Sequence, residues 1–193
     1  MKKIMFNDKF GLTRAVLEDR KTQTRRIVLE RYANMLQDRE NMLISSNKTK
    51  EQINSALSEL GITIFPYKVG EIVAIAQSYK DCGAEAYYWK QTPGWTNKMF
   101  VKANLMPHRI EIERLRVERL QDISEEDCLK EGIYEDGGDD SFIPHYFYNY
   151  YNSNSDGFKT PQLAYAHLID KINGKGTWNS NLFVLAYDYK LIK

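Results

Sequence analysis

The sequence lacks the features that mark several large classes of protein. Its two cysteines, Cys82 and Cys128, are far from each other and from the histidines, so neither a disulfide framework nor zinc-ligand spacing is present. There is no run of about 18 apolar residues that would cross a membrane. The first six residues are too short and too interrupted by lysine for a signal peptide. We therefore expect a cytoplasmic protein that does not enter a membrane.

Motifs for common cofactors are also missing. No phosphate-binding loop, nucleotide-binding glycine pattern or cluster of metal ligands is found, so we expect neither a cofactor nor a metal ion. The formal net charge is only +1, which argues against a protein held on nucleic acid by a strongly basic surface. The length of 193 residues, with 42% hydrophobic and 27% charged residues, is ordinary for a single folded domain.

The charges are unevenly distributed along the chain. Residues 1–26 contain eight lysines or arginines against three acids, a local excess of five positive charges. Residues 122–140 contain nine acids against one lysine, a local excess of eight negative charges. These two segments either meet across a cleft or cover separate faces, and the pattern alone leaves both arrangements open.

Apolar periodicity and capping residues predict several helices. A short amphipathic helix begins at Leu12, and two further helices occupy about residues 28–61, the second opened by a capping box at Thr49. Ser124 and Thr160 are expected N-caps of later helices, the last with Leu163, Ala164, His167 and Leu168 on one side.

Short apolar runs predict strands between these helices. The expected strands lie near residues 3–6, 62–65, 72–76, 87–89, from 99 onwards, about 110–119 and 181–189. Buried positions change parity within 110–119, which predicts a bulge near Glu113 or Arg114. Several short strands with one bulged long strand favour a small barrel or a strongly bent sheet, and the fold class is therefore α+β.

Residues 10–26 carry the densest candidate chemistry. Their first half has one narrow apolar face, but from Arg20 to Arg26 the segment contains cations and hydrogen-bonding side chains and no apolar residue. Such a run suits the C-terminus of a helix, where the dipole favours cations. It equally suits a basic lip that holds an anionic or polar ligand.

Residues 15–26, Ala-Val-Leu-Glu-Asp-Arg-Lys-Thr-Gln-Thr-Arg-Arg, resemble the ASCH domain family, a branch of the PUA-like barrels in which a helix ends in Gly-x-Lys-x-x-Thr-x-Arg. Residues 67–72 are similar to the family's turn and strand, and residues 117–133 to its strand and following helix. Residues 172–178 resemble the larger members from phages and bacteria. The resemblance implies one PUA-like domain over residues 1–193, a small mixed β-barrel with flanking helices. A helical insertion at about 28–61 and an aromatic loop at about 134–160 would interrupt it.

The resemblance also implies a cleft beside the barrel that binds RNA or a modified nucleoside. The residues expected to contact the ligand are Arg20, Arg25, Arg26 and Gln77. Gln77 stands where larger members commonly have glutamate, and Asp19 stands where the family commonly has glycine. Aromatic residues at 89, 95, 178 and 146–151 either stack on bases or pack internally.

An enzymatic alternative follows from compact members of the family. They include an amidohydrolase that deacetylates N(4)-acetylcytidine with a lysine, a threonine and a glutamate, which match Lys21, Thr24 and Glu131. A threonine hydroxyl becomes nucleophilic when a base takes its proton, and a lysine serves as that base when burial or neighbouring cations lower its pKa. We expect a helical or turn-like backbone to place Lys21 and Thr24 on one face. A third hypothesis is that the helices of 28–61 bind a protein partner.

Overall fold

The structure is a computed structural model that describes residues 1–137 and 147–192. Within these ranges the helices are α1 (Leu12–Leu17), α2 (Glu30–Ser45), α3 (Lys50–Gly61), α4 (Ala86–Trp89), α5 (Glu125–Lys130) and α6 (Pro161–Asn173). The strands are β1 (Lys3–Ile4), β2 (Gln23–Ile27), β3 (Ile72–Ile75), β4 (Arg109–Arg119), β5 (Tyr134–Asp136), β6 (Phe147–Asn149) and β7 (Phe183–Ile192). The α+β class predicted from the sequence is confirmed.

Five of these strands form one mixed sheet in the order β1-β3-β4-β7-β2. β1 runs parallel to β3, and every other neighbouring pair is antiparallel. β1 and β2 are the two edges, so the sheet does not close on itself within the described residues. The closed barrel expected from the sequence is therefore not found there.

The long strands β4 and β7 form the middle of this sheet. Their pairing register shifts between Ile112 and Arg114, which confirms the predicted bulge. Ile110, Ile112 and Val117 are all fully buried, although strict alternation would turn Val117 to the other face. One extra residue in β4 restores the inward direction, because a bulge reverses the parity of the side chains that follow it.

The helical hairpin α2–α3 packs onto the sheet rather than standing apart from it. Leu36 and Leu57 are buried in the same core cluster as the β4 residues. The Ser58 hydroxyl accepts a hydrogen bond from the backbone N–H of Val117 at 3.0 Å. The capping box at Thr49 is confirmed, and it satisfies N–H groups that the first turn of α3 leaves unpaired.

Three predicted strands are wrong. Residues 62–65 form a turn after α3, residues 87–89 lie in α4, and residues 99–100 lie in a 3-10 turn. Tyr87, Tyr88, Met99 and Phe100 are all exposed, so their strand preference has no packed surface to act on. Strand propensity reflects packing on a pleated, half-buried surface, and here that surface is missing.

Two expectations about the C-terminal third also need correction. The segment 134–160 is not wholly a loop, because β5 and β6 pair antiparallel within it. Residues 138–146, with His145, Tyr146, Asp139 and Asp140, lie outside the described residues. On α6, Leu163 is exposed, and the buried face is instead Ala164, Tyr165, Leu168 and Ile169.

No helix in the described ranges combines the length and apolarity needed to span a membrane.

Candidate functional site

A sharp turn after α1 presents Lys21. Asp19 adopts a left-handed backbone conformation with φ of 61°, and the N–H groups of Arg20 and Lys21 both bond to the Ala15 carbonyl at 2.9 and 3.0 Å. β2 then begins at Gln23. The helical or turn-like backbone expected between Lys21 and Thr24 is not found, since Lys21 precedes a strand and Thr24 lies within it.

Lys21 forms a buried ion pair with Glu131, which caps the C-terminus of α5. The Lys21 Nζ atom lies 2.5 Å from Glu131 Oε2 and also donates to the Glu131 backbone carbonyl at 2.7 Å. The two side chains are 1% and 5% exposed, so water screens their attraction very little. The chain is held in register here because Thr22 N–H donates to the Lys130 carbonyl at 2.9 Å.

The second oxygen of Glu131 is bound by Arg25. Arg25 Nη1 lies 3.1 Å from Glu131 Oε1, Nε lies 2.7 Å from Glu118 Oε1, and Nη2 lies 2.8 Å from Asp127 Oδ2. Nη1 also donates to the Gln23 amide oxygen at 3.1 Å. Four of the five guanidinium N–H groups are thus used inside the protein.

The network continues away from Glu131 through a second arginine. Arg116 Nη2 lies 3.1 Å from Asp127 Oδ2, and Arg116 Nη1 lies 2.5 Å from Asp188 Oδ2. Three cations, Lys21, Arg25 and Arg116, therefore face four carboxylates, those of Glu118, Asp127, Glu131 and Asp188. The basic and acidic segments of the sequence do meet, but the cations they bring together are neutralised.

Burial shifts the pKa values of the central pair. Desolvation lowers the pKa of Lys21, against the attraction of Glu131, which raises it. Desolvation alone would raise the pKa of Glu131, but the charges of Lys21 and Arg25 hold that pKa below its ordinary value. The result is an ion pair whose lysine loses its proton more readily than a lysine in water.

The pair lies on the wall of a small cavity of about 90 Å³. Thr24 also lines this cavity and is 5% exposed. The remaining wall is mainly apolar, with Phe6, Leu12, Ile27, Leu168, Ile169 and Ile172. This volume is well below the roughly 300–1,000 Å³ of sites that enclose a whole drug-sized ligand, so a small polar group fits and a whole nucleoside does not.

Of the four residues predicted to contact the ligand, only two line this cavity. Arg25 and Arg26 line the cavity, although Arg26 is exposed and donates to the Met5 carbonyl. Arg20 is exposed and paired with Glu18 outside this cavity. Gln77 is buried and bonded to the His108 ring at 2.6 Å, beside a different cavity.

The sequence analysis missed Tyr165, which lines the cavity from α6. Its apolar, helical surroundings look like ordinary core, so no sequence signal distinguishes it. It also missed Glu118 and Asp127 as the partners of Arg25. The acidic excess of residues 122–140 was the one available signal for Asp127.

No protein-family model, curated protein or solved structure matches the chain.

Proposed function

We propose that this protein is an amidohydrolase that removes a small acyl group from an acylated nucleoside, with Thr24 as the nucleophile. The observation that carries the proposal is the shared cavity. Lys21, Thr24 and Glu131 come from two segments about 110 residues apart, yet their side chains line one small buried space.

The first step requires a neutral Lys21. Transfer of one proton from Lys21 Nζ to Glu131 Oε2, across 2.5 Å, produces a free amine and a carboxylic acid. The lowered pKa of Lys21 favours this transfer, whereas the lowered pKa of Glu131 opposes it. Arg25 holds the other oxygen of Glu131, so the carboxyl group keeps its orientation during the transfer.

The acyl group is then transferred to Thr24. As Thr24 Oγ1 attacks the acyl carbonyl carbon, the Lys21 amine takes the hydroxyl proton. The carbon–nitrogen bond breaks, the amine of the nucleoside leaves with a proton supplied by the Lys21–Glu131 pair, and Thr24 carries an ester. Water hydrolyses this ester, which releases a carboxylic acid and restores the hydroxyl. The sum is amide plus water to amine plus acid.

The size of the cavity supports a short acyl group. Sites that enclose a drug-sized ligand have volumes of about 300–1,000 Å³, whereas this one measures about 90 Å³. An acetyl-sized group enters such a space while the nucleoside stays at its mouth, near the exposed Arg26.

Binding of RNA through a basic cleft is the competing proposal, and the charges favour it less. Phosphate recognition needs cations whose N–H groups are free, but those of Lys21 and Arg25 are bonded to buried carboxylates. An uncharged nucleoside fits this balance better. Its affinity should hardly change with salt, whereas binding through several phosphates should weaken steeply as salt rises.

The proposed relation to the PUA-like ASCH family draws support from Asp19. The family commonly has glycine at this position, and here Asp19 takes the left-handed conformation that glycine adopts at little cost. Aspartate adopts the left-handed conformation more readily than most residues, so the turn that presents Lys21 forms with aspartate in place of glycine.

The decisive experiment is a hydrolysis assay on N(4)-acetylcytidine. We expect turnover by the parent, no detectable turnover by Thr24→Ala, and a decrease of about 10²–10⁴-fold in Lys21→Met. Matched controls are Thr22→Ala and Lys130→Met, which change the same residue types nearby but outside the cavity wall.

Both control proteins should retain the activity of the parent. Absence of turnover by the parent at high enzyme concentration would refute the proposed hydrolysis, and equal activity in Thr24→Ala would refute the role of Thr24.

A further inference from the structure

Tyr165 has a buried hydroxyl that forms no hydrogen bond within the described part of the chain. The residue is 2% exposed, and its hydroxyl oxygen has no hydrogen-bond partner among the described residues. Buried polar groups are nearly always hydrogen-bonded, because an unpaired one loses its interactions with water and gains nothing in return. An exception of this kind calls for an explanation.

The position of Tyr165 supplies one. Its side chain lines the same cavity as Thr24, Lys21 and Glu131. The hydroxyl is close enough to Glu131 and Arg25 for both charges to act on it, yet it bonds to neither. Burial, together with the charge of Glu131, raises the pKa of Tyr165 well above its ordinary value, so the hydroxyl keeps its proton and remains a donor.

The two buried cations on the cavity wall have most of their N–H groups engaged already. Arg25 is bonded to three carboxylates and an amide, and two of the three N–H groups of Lys21 go to Glu131. In the proposed reaction Lys21 must also act as a base, which removes it as a constant donor. A carbonyl oxygen that becomes an oxyanion is stabilised by a hydrogen-bond donor that is held in place beforehand.

We propose that the Tyr165 hydroxyl donates a hydrogen bond to the carbonyl oxygen of the bound acyl group and stabilises the negative charge that develops there. This inference rests on the proposed function, since it names a further catalytic residue of the same cavity. The unpaired hydroxyl is then a preorganised donor that the substrate, not the protein, satisfies.

The chain offers a matched control in Tyr187 on β7. Its hydroxyl is also buried without a partner among the described residues. Tyr187 pairs with Thr24 across β2 and β7, but it lines a different cavity, beside Leu185 and Tyr32, and is not among the residues that line the cavity of Lys21 and Glu131. Tyr165→Phe and Tyr187→Phe therefore each remove an unpaired buried hydroxyl close to Thr24, but only the Tyr165 side chain belongs to a residue that lines the cavity of Lys21 and Glu131.

The test compares turnover of N(4)-acetylcytidine by the parent and the two variants. We expect kcat to fall about 10²–10³-fold in Tyr165→Phe with KM rising less than about tenfold, and no change in Tyr187→Phe. Thermal unfolding should show both variants to be as stable as the parent or more so, because each loses an unpaired buried hydroxyl. Unchanged kcat in Tyr165→Phe, or equal losses in the two variants, would overturn the proposal.

A second measurement separates this proposal from the proposed function. Calorimetry compares the binding of N(4)-acetylcytidine to two proteins, the single variant Thr24→Ala and the double variant that also carries Tyr165→Phe. We expect the double variant, which lacks the hydroxyl, to bind about three- to tenfold more weakly. If the parent binds the compound but does not hydrolyse it, hydrolysis is refuted while a loss of binding in Tyr165→Phe still supports the donor. If Tyr165→Phe binds as tightly as its background, or neither protein binds, the donor role is refuted.

Discussion

Replacing Glu131 by glutamine removes one negative charge from the buried ion pair while keeping the shape of the side chain. Lys21 would then hold its ammonium group in a site that is about 1% exposed, with an amide oxygen and a backbone carbonyl as its acceptors. Arg25 would keep Glu118 and Asp127, so it loses one of three carboxylates rather than all of them. The damage is therefore concentrated on Lys21.

The expected loss of stability is large. Removing one partner of a buried ion pair costs about 3–5 kcal/mol, because the remaining charge stays desolvated without compensation. Water does not weaken the attraction between the two charges appreciably, since both side chains are almost completely buried. Domains of this kind are stable by only about 5–15 kcal/mol, so the variant should retain a fold but unfold at a clearly lower denaturant concentration.

Urea unfolding at pH 7 measures this loss, and Glu126→Gln is the matched control. Glu126 lies on the same helix and forms an ion pair of the same length, 2.5 Å, with Lys130, but its side chain is 76% exposed. We expect Glu126→Gln to change the free energy of unfolding by less than about 0.5 kcal/mol. Equal effects of the two substitutions would show that burial of the Lys21–Glu131 pair does not have the consequence we assign to it.

The same variant should respond to alkaline pH. Without the charge of Glu131, the main interaction that opposes the desolvation of Lys21 is lost, so the pKa of Lys21 falls further below 10.5. The unfolded chain then binds more protons than the folded one, and stability rises with pH towards the ordinary lysine pKa. The deficit of Glu131→Gln should therefore shrink between pH 7 and pH 9, and a constant deficit would contradict this assignment.

Three further predictions concern stability. In the parent, the pKa of Glu131 lies below its ordinary value of 4.5. The stabilisation from ionised Glu131 is therefore fully present above pH 4.5 and is lost as the pH falls further. Urea midpoints of the parent should accordingly fall more steeply from pH 5 to pH 3 than those of Glu131→Gln. Gly61→Ala places a methyl group 2.4 Å from Val117 Cγ2 and should cost about 1–3 kcal/mol in the same urea assay. Gly137→Ala, whose methyl group meets no described residue within 4 Å, should be nearly neutral. Asp19→Val should cost about 1–2 kcal/mol of stability and so lower Tm, because a branched side chain is strained in the left-handed conformation. Asp19→Gly should keep or raise Tm, since glycine adopts this conformation easily. Equal Tm values for the two variants would refute strain at this turn.

Local rules account for the parts of the fold that the sequence analysis predicted correctly. The caps at Thr49, Ser124 and Thr160 each depend on a side chain bonding to an N–H within three residues, so the pattern is visible in the chain itself. The bulge in β4 is visible for the same reason, because the change of parity occurs within one strand. The exposed strands predicted at 87–89 and from 99 were wrong because their outcome depends on neighbours that the local sequence does not show.

Candidate chemistry at Lys21 and Thr24 was visible in the sequence as a polar run after a short helix. Only the tertiary structure decided what that run meets. The tertiary structure brings Glu131 to Lys21 across 110 residues and pairs Arg25 with buried carboxylates. It also places Tyr165 on the cavity wall. Residue order sets local backbone preferences within a few positions. The partners of a buried charge depend on how the sheet and helices pack, because desolvation is tolerable only where that packing supplies a counter-charge.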